Sequence, residues 1–527
     1  MTRAGEFIGL VGILAILLAG CGKQSPKPVE ENCGEMTASV GAESVLPCAE
    51  KLTWQSRVDG MNLTASVVFP DGFDNSHLRP LIVVLPGTPL PETLLSGQAL
   101  VARLENGRPA SCPSWLLRED ALDMIDYLVA NCAVEPKKVF LAAAGANGLS
   151  FASRHASRFA GIYLSFPDNE STYDHALPVR NLLNVPVYLD KTQGQMPAAA
   201  LLELEKYLQT AGATRLMAPD YLLGERTTGA LFNQAFLWLG SQTAARERMT
   251  WEASLLSEGT AWWLRAEEFR HAETSAVIAV SPTGNPNPQY RWSLRTRNLN
   301  AFSVDSSCAE LAGEKIQFLQ VDGFGVSVRP GMGWTKLLRE EKGWRVVLPV
   351  SMPMMKNAKC EGPLWRVLSR PFLLVIGSAV PERSVLWRKA AEDFAEEWCR
   401  RTGMHPEIQK DTEVTPEMLE GRNLLLFGSP KDNLLTETLL EDDTAFLREL
   451  FQEIPEEVRA EDALFAVALH PAEVLSPGHL AAVVVANGNE SIAASWKPLT
   501  EELSVDYVIR SQQIQKSGCF QSDWKIH

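Results

Sequence analysis

Along residues 56–245 the spacing of apolar positions changes character repeatedly. Asn62–Phe69 alternates apolar and polar, the two-residue period of a half-buried strand, and Pro70-Asp71-Gly72 ends it with turn residues. Leu81–Leu85 is a continuous apolar run, as expected of a strand buried on both faces. Leu117, Ala121, Met124, Ile125 and Leu128 fall at helical spacing and predict a helix over Leu116–Ala130. The alternation continues with strand Val139–Ala142, helix Leu149–Arg158, strands Gly161–Phe166 and Pro186–Leu189, helix Ala198–Ala211 and a last helix near Leu231–Leu239. Strands alternating with helices predict a mostly parallel sheet covered on both sides, hence an α/β fold for 50–245.

The period then shortens. Ala276–Val280, Tyr290–Arg295, Lys315–Val321 and Trp344–Leu348 are strand-like runs between Gly, Pro and Asn turns, which predicts a β-rich, sandwich-like module over 246–366. Alternation returns over 367–527, predicting a small C-terminal α/β domain. There strands Phe372–Ile376 and Asn423–Phe427 each run into Gly-Ser, and strand Ala481–Ala486 runs into Asn487-Gly488. Arg383–Cys399 places Trp387, Ala390, Phe394 and Trp398 on one helix face. None of the Gly-Ser ends carries Gly-x-Gly-x-x-Gly or a Walker sequence, so no nucleotide or other cofactor is assigned.

The N-terminus changes the picture of the compartment. Arg3 precedes an apolar stretch, Phe7–Ala19, too short to span a bilayer as a mature helix. Its end, Leu18-Ala19-Gly20-Cys21, resembles the lipobox of bacterial lipoproteins. That resemblance implies a signal peptide over 1–20, cleavage before Cys21, acylation of Cys21, and a bilayer as the first partner. Gly22 rather than Asp follows Cys21, which favours the outer membrane, on its periplasmic face or the surface. The rest of 21–49 reads as a polar, proline-bearing tether.

Hydrophobic residues make up 46% of the chain and charged ones 21%, an ordinary globular balance. A net charge of −15 argues against nucleic acid, whose phosphates need clustered Lys and Arg. Beyond Cys21, Cys33, Cys48, Cys112, Cys132, Cys308, Cys360, Cys399 and Cys519 form an even set, read as disulfides outside the cytoplasm. Order along the chain suggests Cys33–Cys48, Cys112–Cys132, Cys308–Cys360 and Cys399–Cys519. That pairing is one of many the spacing permits. No Cys-x-x-Cys or paired-His spacing occurs, so no metal is assigned.

The stretch Val139-Phe-Leu-Ala-Ala-Ala-Gly-Ala-Asn-Gly148 has the build of a nucleophile elbow, a strand, a sharp turn and a helix with the hydroxyl at the tip. Around it, Val68-Phe69-Pro70-Asp71-Gly72, Arg79-Pro80-Leu81 through Pro86-Gly87, Glu135-Pro136-Lys137-Lys138 and Asn184-Val185-Pro186-Val187 follow in order. Together these segments resemble the α/β-hydrolase fold, more narrowly secreted esterases and prolyl-oligopeptidase-like peptidases. The resemblance implies a nucleophile, a base, an acid and oxyanion donors. It places Gly145 at the nucleophile, Gln195 at the acid and Glu225 at the base, with Pro86-Gly87-Thr88-Pro89 as the oxyanion loop. Glycine has no side chain, Gln195 carries no charge, and no histidine occurs between His175 and His271.

All three roles fail independently, so the expectation is a fold kept after its chemistry was lost, binding a glycan, a peptide or a protein. Among fourteen tryptophans, Trp262, Trp263 and Trp292 would suit sugar stacking, although core packing explains most tryptophans. The alternative is an active serine esterase or peptidase with a relocated triad, Ser165, His175 and Asp190; Ser150, Ser153 and His155 lie just after the elbow, where Ser153 and His155, two apart on a helix, face different directions.

Overall fold

Strands form where the apolar runs are continuous, and helices cover them where the period lengthens. The computed structural model describes residues 49–526 apart from short segments, the longer ones being 90–98, 167–175, 192–198, 220–227, 243–247, 284–291 and 348–354. The first sheet has eight strands: β1 (Ala49–Gln55), β2 (Asn62–Val68), β3 (Arg79–Val84), β4 (Leu100–Leu104), β5 (Val134–Ala144), β6 (Gly161–Ser165), β7 (Val187–Asp190) and β8 (Leu216–Met217). Their order is β1-β2-β4-β3-β5-β6-β7-β8. β1 and β2 pair antiparallel, β2 meets β4 antiparallel, and every pairing from β4 to β8 is parallel. Helices α1 (Ser114–Asn131), α2 (Gly145–Arg154), α3 (Ala199–Thr210) and α4 (Thr228–Ser241) supply the crossovers. This is an α/β-hydrolase-like sheet, with the elbow at the end of its fifth strand.

The two faces of the sheet bury different cores. Phe140, Tyr163 and Tyr188 point to α4, where Phe232 and Phe236 meet them. Leu141, Ile162, Leu164 and Leu189 point the other way, into a cluster continuous with the β-rich part of the chain. That part is two five-stranded sheets. One runs Thr260–Ala261, Leu264–Phe269, Leu299–Asp305, Trp334–Glu340, Gly343–Val347; the other ends on β9 (Met249–Ala253), beside Ala276–Pro282 and Trp292–Arg297. β9 is an edge strand whose free ladder groups would cost energy if left unpaired. Two asparagine side chains act as its missing neighbour. Asn181 donates to Glu252 O (2.8 Å) and accepts from Glu252 N (2.7 Å); Asn184 does the same with Thr250 (2.7 and 2.9 Å).

The C-terminal α/β part is a seven-stranded sheet in which Glu407–Lys410, Phe372–Ile376, Asn423–Phe427 and Leu480–Ala486 are parallel neighbours. Three antiparallel strands, Phe465–Pro471, Tyr507–Arg510 and Gln515–Gly518, extend it. Phe465–Pro471 pairs with the nearby Leu480–Ala486, and Tyr507–Arg510 with the nearby Gln515–Gly518, whereas the pairing of Phe465–Pro471 with Tyr507–Arg510 joins segments distant in sequence, which apolar period alone does not reveal. Helix α5 (Pro381–Thr402) buries Trp387, Phe394 and Trp398 against this sheet, the stripe its spacing predicts. The core crosses the expected boundary: Trp115 and Leu116, at the start of α1, bury in the C-terminal cluster.

The expected disulfide Cys112–Cys132 is excluded by helix geometry. The two cysteines flank α1, whose 18 residues span about 27 Å, whereas bridged Cα atoms lie within about 7 Å. Cys360, Cys399 and Cys519 carry thiols, and among the described residues no disulfide forms. Burial raises the Cys360 and Cys519 thiols to about 11. Cys21, Cys33, Cys48 and Cys308 lie outside the described residues.

Arg108 anchors the junction between these sheets. Its side chain is fully enclosed, and it donates to both carboxylate oxygens of Asp59 (2.7 and 3.1 Å), to both of Asp120, to Ser56 Oγ (3.3 Å) and to the carbonyl of Thr402 at the end of α5 (3.3 Å). Burial works against its charge, yet the bonds from Asp120 and Asp59 hold its pKa above the ordinary value; burial also raises Asp120. Removing the guanidinium would leave two buried carboxylates uncompensated. Arg108→Ala should therefore lose about 3–5 kcal/mol in urea denaturation. Lys51→Ala, which removes an exposed pair with Glu105, should lose under about 1 kcal/mol. Equal midpoints for the two variants would contradict this account.

Candidate functional site

The elbow is sharper than its sequence suggests. β5 runs on to Ala144, two residues past the expected end, and α2 starts directly at Gly145 rather than after Gly148. Ala144 is extended (φ −131°, ψ 149°) and Gly145 takes φ +68°. This left-handed tip is the strained position from which a hydrolase projects its nucleophile, and glycine occupies it without steric cost. Close packing of α2 on β5 is kept by Gly148: a Cβ there would sit 3.0 Å from Ala143 Cβ. The strand, sharp turn and helix of an elbow are present, and the tip of the turn carries no side chain.

The flanking loop is closed on itself. Gly87 (φ +80°) turns the chain so that Thr88 N donates to Leu85 O (3.2 Å), while Arg103 donates to Thr88 O (3.1 Å). The Thr88 amide is thus committed to its own turn rather than aimed at an oxyanion.

Parallel register brings two members of the relocated set together. Ala144 pairs with Ser165 and Ser165 with Asp190, so the three stand side by side at the carboxyl edge of the sheet. Ser165 is fully buried and its Oγ has no hydrogen-bond partner among the described residues. Asp190 is buried and accepts a short hydrogen bond from Tyr163 Oη, whose ring stacks on Tyr188 at 5.9 Å. His175, Gln195 and Glu225 lie outside the described residues.

The neighbouring candidates do other things. Ser153 is buried and bonds back to Ser150 O (3.2 Å). His155 caps the far end of α2, about 15 Å from the tip, with its ring against Phe151 (5.0 Å). Burial, with Arg118, Arg154 and Arg158 nearby, pushes its pKa down to about 3. Trp263 and Trp292 are buried in the core, which corrects their reading as sugar platforms; Trp262, held at φ +52°, packs edge-on to Trp251. In the C-terminal part, the crevice at the carboxyl ends of Phe372–Ile376 and Asn423–Phe427, where an open α/β sheet takes ligands, is filled by the chain itself. Asn433 Nδ2 donates to Val375 O (3.1 Å) and Phe427 O (3.2 Å), and a Cβ at Gly377 would lie 2.4 Å from Asp432 O. Among the described residues no group of His, Cys, Asp and Glu is gathered as a metal site.

A cavity of about 630 Å³ opens where the three parts of the chain meet. The start of α1 (Ser114, Trp115) and the elbow helix (Ser150, Arg154) form one side. Segment 254–275 of the β-rich part and segments 356–365 and 504–522 complete it. Arg154 grips Glu258 (2.9 and 3.0 Å) across it. Buried Glu361 accepts from Leu256 N (2.6 Å) and Ser257 N (2.8 Å), and burial raises its pKa. Gly362 lies so close to Asp506 that a Cβ would overlap its carboxylate. Sequence reading missed this cavity, because its walls are assembled from segments hundreds of residues apart.

No protein-family model matches this chain, and no curated protein matches it in sequence. In structure it is similar to a thermostable esterase (14% identity, covering 37% of this chain and 63% of that one, TM-score 0.29). It is also similar to a ferulic acid esterase from Anaeromyces mucronatus (9% identity, 39% and 93%, TM-score 0.31) and to dipeptidyl peptidase 4 from Porphyromonas gingivalis (12% identity, 37% and 36%, TM-score 0.29). The match thus spans less than two thirds of the thermostable esterase and about a third of the peptidase. The α/β-hydrolase-like fold rests on the strand order and the elbow, not on these likenesses.

Proposed function

We propose that this chain is a lipid-anchored, extracytoplasmic protein whose hydrolase-like unit no longer catalyses and serves in binding. The observation that carries the reading is Gly145 at the tip of an intact elbow, with φ +68° and no hydroxyl to project. The anchor is supported by Leu18-Ala19-Gly20-Cys21. Several acyl chains on Cys21 would hold the protein on a membrane, where one chain is marginal; no described helix is long and apolar enough to cross one.

A second reading has one observation in its favour. Ser165 Oγ is buried without a partner beside Asp190, so a relocated nucleophile would be sought there. It lacks a base among the described residues at that edge: His155 sits at the far end of α2.

Incubation with a fluorophosphonate probe should leave the mature protein unlabelled, and Gly145→Ser should stay unlabelled too, because a hydroxyl without a base is not activated. Labelling mapped to Ser165 would establish the second reading instead. Radiolabelled palmitate should enter the wild type and be lost from Cys21→Ala; equal incorporation would remove the anchor.

His155 gives a pH test. Its folded pKa lies below the ordinary value, so the fold favours the neutral ring. The stability this contributes is present above about pH 6.5 and is lost as pH falls toward 3. Between pH 7 and 4.5, His155→Gln should therefore lose less melting temperature than the wild type. Parallel curves would show that the imidazole titrates in the fold as it does in the unfolded chain, and would contradict its burial as a neutral ring.

A further inference from the structure

The geometry points to the cavity between the three parts of the chain as a binding site for a neutral saccharide. This assignment rests on the reading of the protein as a binder and names its ligand class.

Charge decides what the cavity can hold. Three cations face four carboxylates around it, and the strongest of these groups are already paired across its walls. Arg154 holds Glu258, Lys356 is bound to Asp506 and donates to Phe520 O (2.6 Å), and Glu361 takes two backbone amides. Such a lining has no cluster of cations to capture phosphate and no apolar sleeve for an acyl chain. It is polar but internally compensated, which suits a ligand rich in hydroxyls and poor in charge.

The remaining groups match that ligand. Seven serine and threonine residues contribute to the lining, among them Ser150, Ser254, Thr274 and Ser504. Ser275 and Ser522 already donate to Glu252 (2.6 Å) and Glu268 (3.3 Å), and Ser114 accepts from Arg118 (3.4 Å). The hydroxyls of Ser150, Ser254, Thr274 and Ser504 can each donate and accept, and so follow the alternating demands of sugar hydroxyls. Trp365 lines the cavity and offers the part of its indole left uncovered by Trp115 and by the Arg366 guanidinium (5.5 Å from the ring centre) to the C–H face of a sugar ring. It is half-buried, and its indole stacks on Trp115 (5.0 Å, 20°), which stacks in turn on Trp398 (6.2 Å, 27°). A ring braced this way loses little freedom when a ligand settles on it. The volume lies within the range of small-ligand sites.

The test uses the purified full-length protein in detergent on an array of neutral oligosaccharides, uronic-acid oligosaccharides and short peptides, followed by calorimetry on the best saccharide. Neutral oligosaccharides should bind, and Trp365→Ala should weaken them by about tenfold or more while leaving the melting transition cooperative. Should that variant not fold, the wild type still decides: saturating saccharide should protect Trp365 from oxidation by N-bromosuccinimide, read by peptide mass. Silence across the saccharides, preference for peptides, or binding that leaves Trp365 unprotected would each overturn the assignment. Array silence together with absent fluorophosphonate labelling removes the saccharide cavity alone. Fluorophosphonate labelling removes the parent reading whatever the array shows.

Discussion

A guanidinium enclosed between two carboxylates sets the relation of the hydrolase-like sheet to the C-terminal part of the chain. Arg108 reaches Asp59 beyond β1, Asp120 on α1 and the last carbonyls of α5 at once. Desolvating three charges costs several kcal/mol per ion, and only the full set of hydrogen bonds offsets it. That requirement fixes the start of α1. From there Trp115 enters the C-terminal core and braces Trp365. The cavity between the parts therefore inherits its geometry from an ion cluster that does not line it.

The β-rich part is held mainly by side chains that satisfy its backbone. Asn181 and Asn184 satisfy the edge of β9 as a neighbouring strand would, and Glu361 satisfies the amides of Leu256 and Ser257. Arg154, on the elbow helix, adds the grip on Glu258. The helix that follows the elbow serves as a wall of the cavity. Gly145 and Gly148 are needed for the turn and for close packing of α2, and α2 is needed for the junction.

Much of the first sheet was legible because its strands are continuous apolar runs separated by amphipathic helices. Strand Gly161–Ser165 and helix Ala199–Thr210 lie within a residue of their expected bounds. β5 exceeds its expected bounds by two residues at its carboxyl end, where Ala143 and Ala144 carry no strand signal of their own, and by five at its start, where Pro136, Lys137 and Lys138 interrupt the apolar run. The strands Phe465–Pro471, Tyr507–Arg510 and Gln515–Gly518 are not among the expected ones; the last is short and polar, and only the pairing of Phe465–Pro471 with Tyr507–Arg510 spans a long sequence separation. The cysteine pairing followed chain order and failed at Cys112 and Cys132, where a whole helix intervenes. The tryptophans were misjudged for a similar reason: Trp263 and Trp292 are core, and the half-exposed ring at the cavity belongs to Trp365.

The sequence alone determined what depends on local composition and period: the alternation of strand and helix, the absence of a side chain at 145, and the signal-like N-terminus ending at Cys21. Those properties are carried by neighbouring residues and need no knowledge of the fold. The tertiary structure alone decided which groups meet. It set Ser165 beside Asp190, kept Gly145 in the left-handed turn, and closed three distant segments around a charge-compensated cavity. The reason is physical: burial and hydrogen-bond satisfaction are settled between segments far apart in the chain, and no local pattern encodes such a partner.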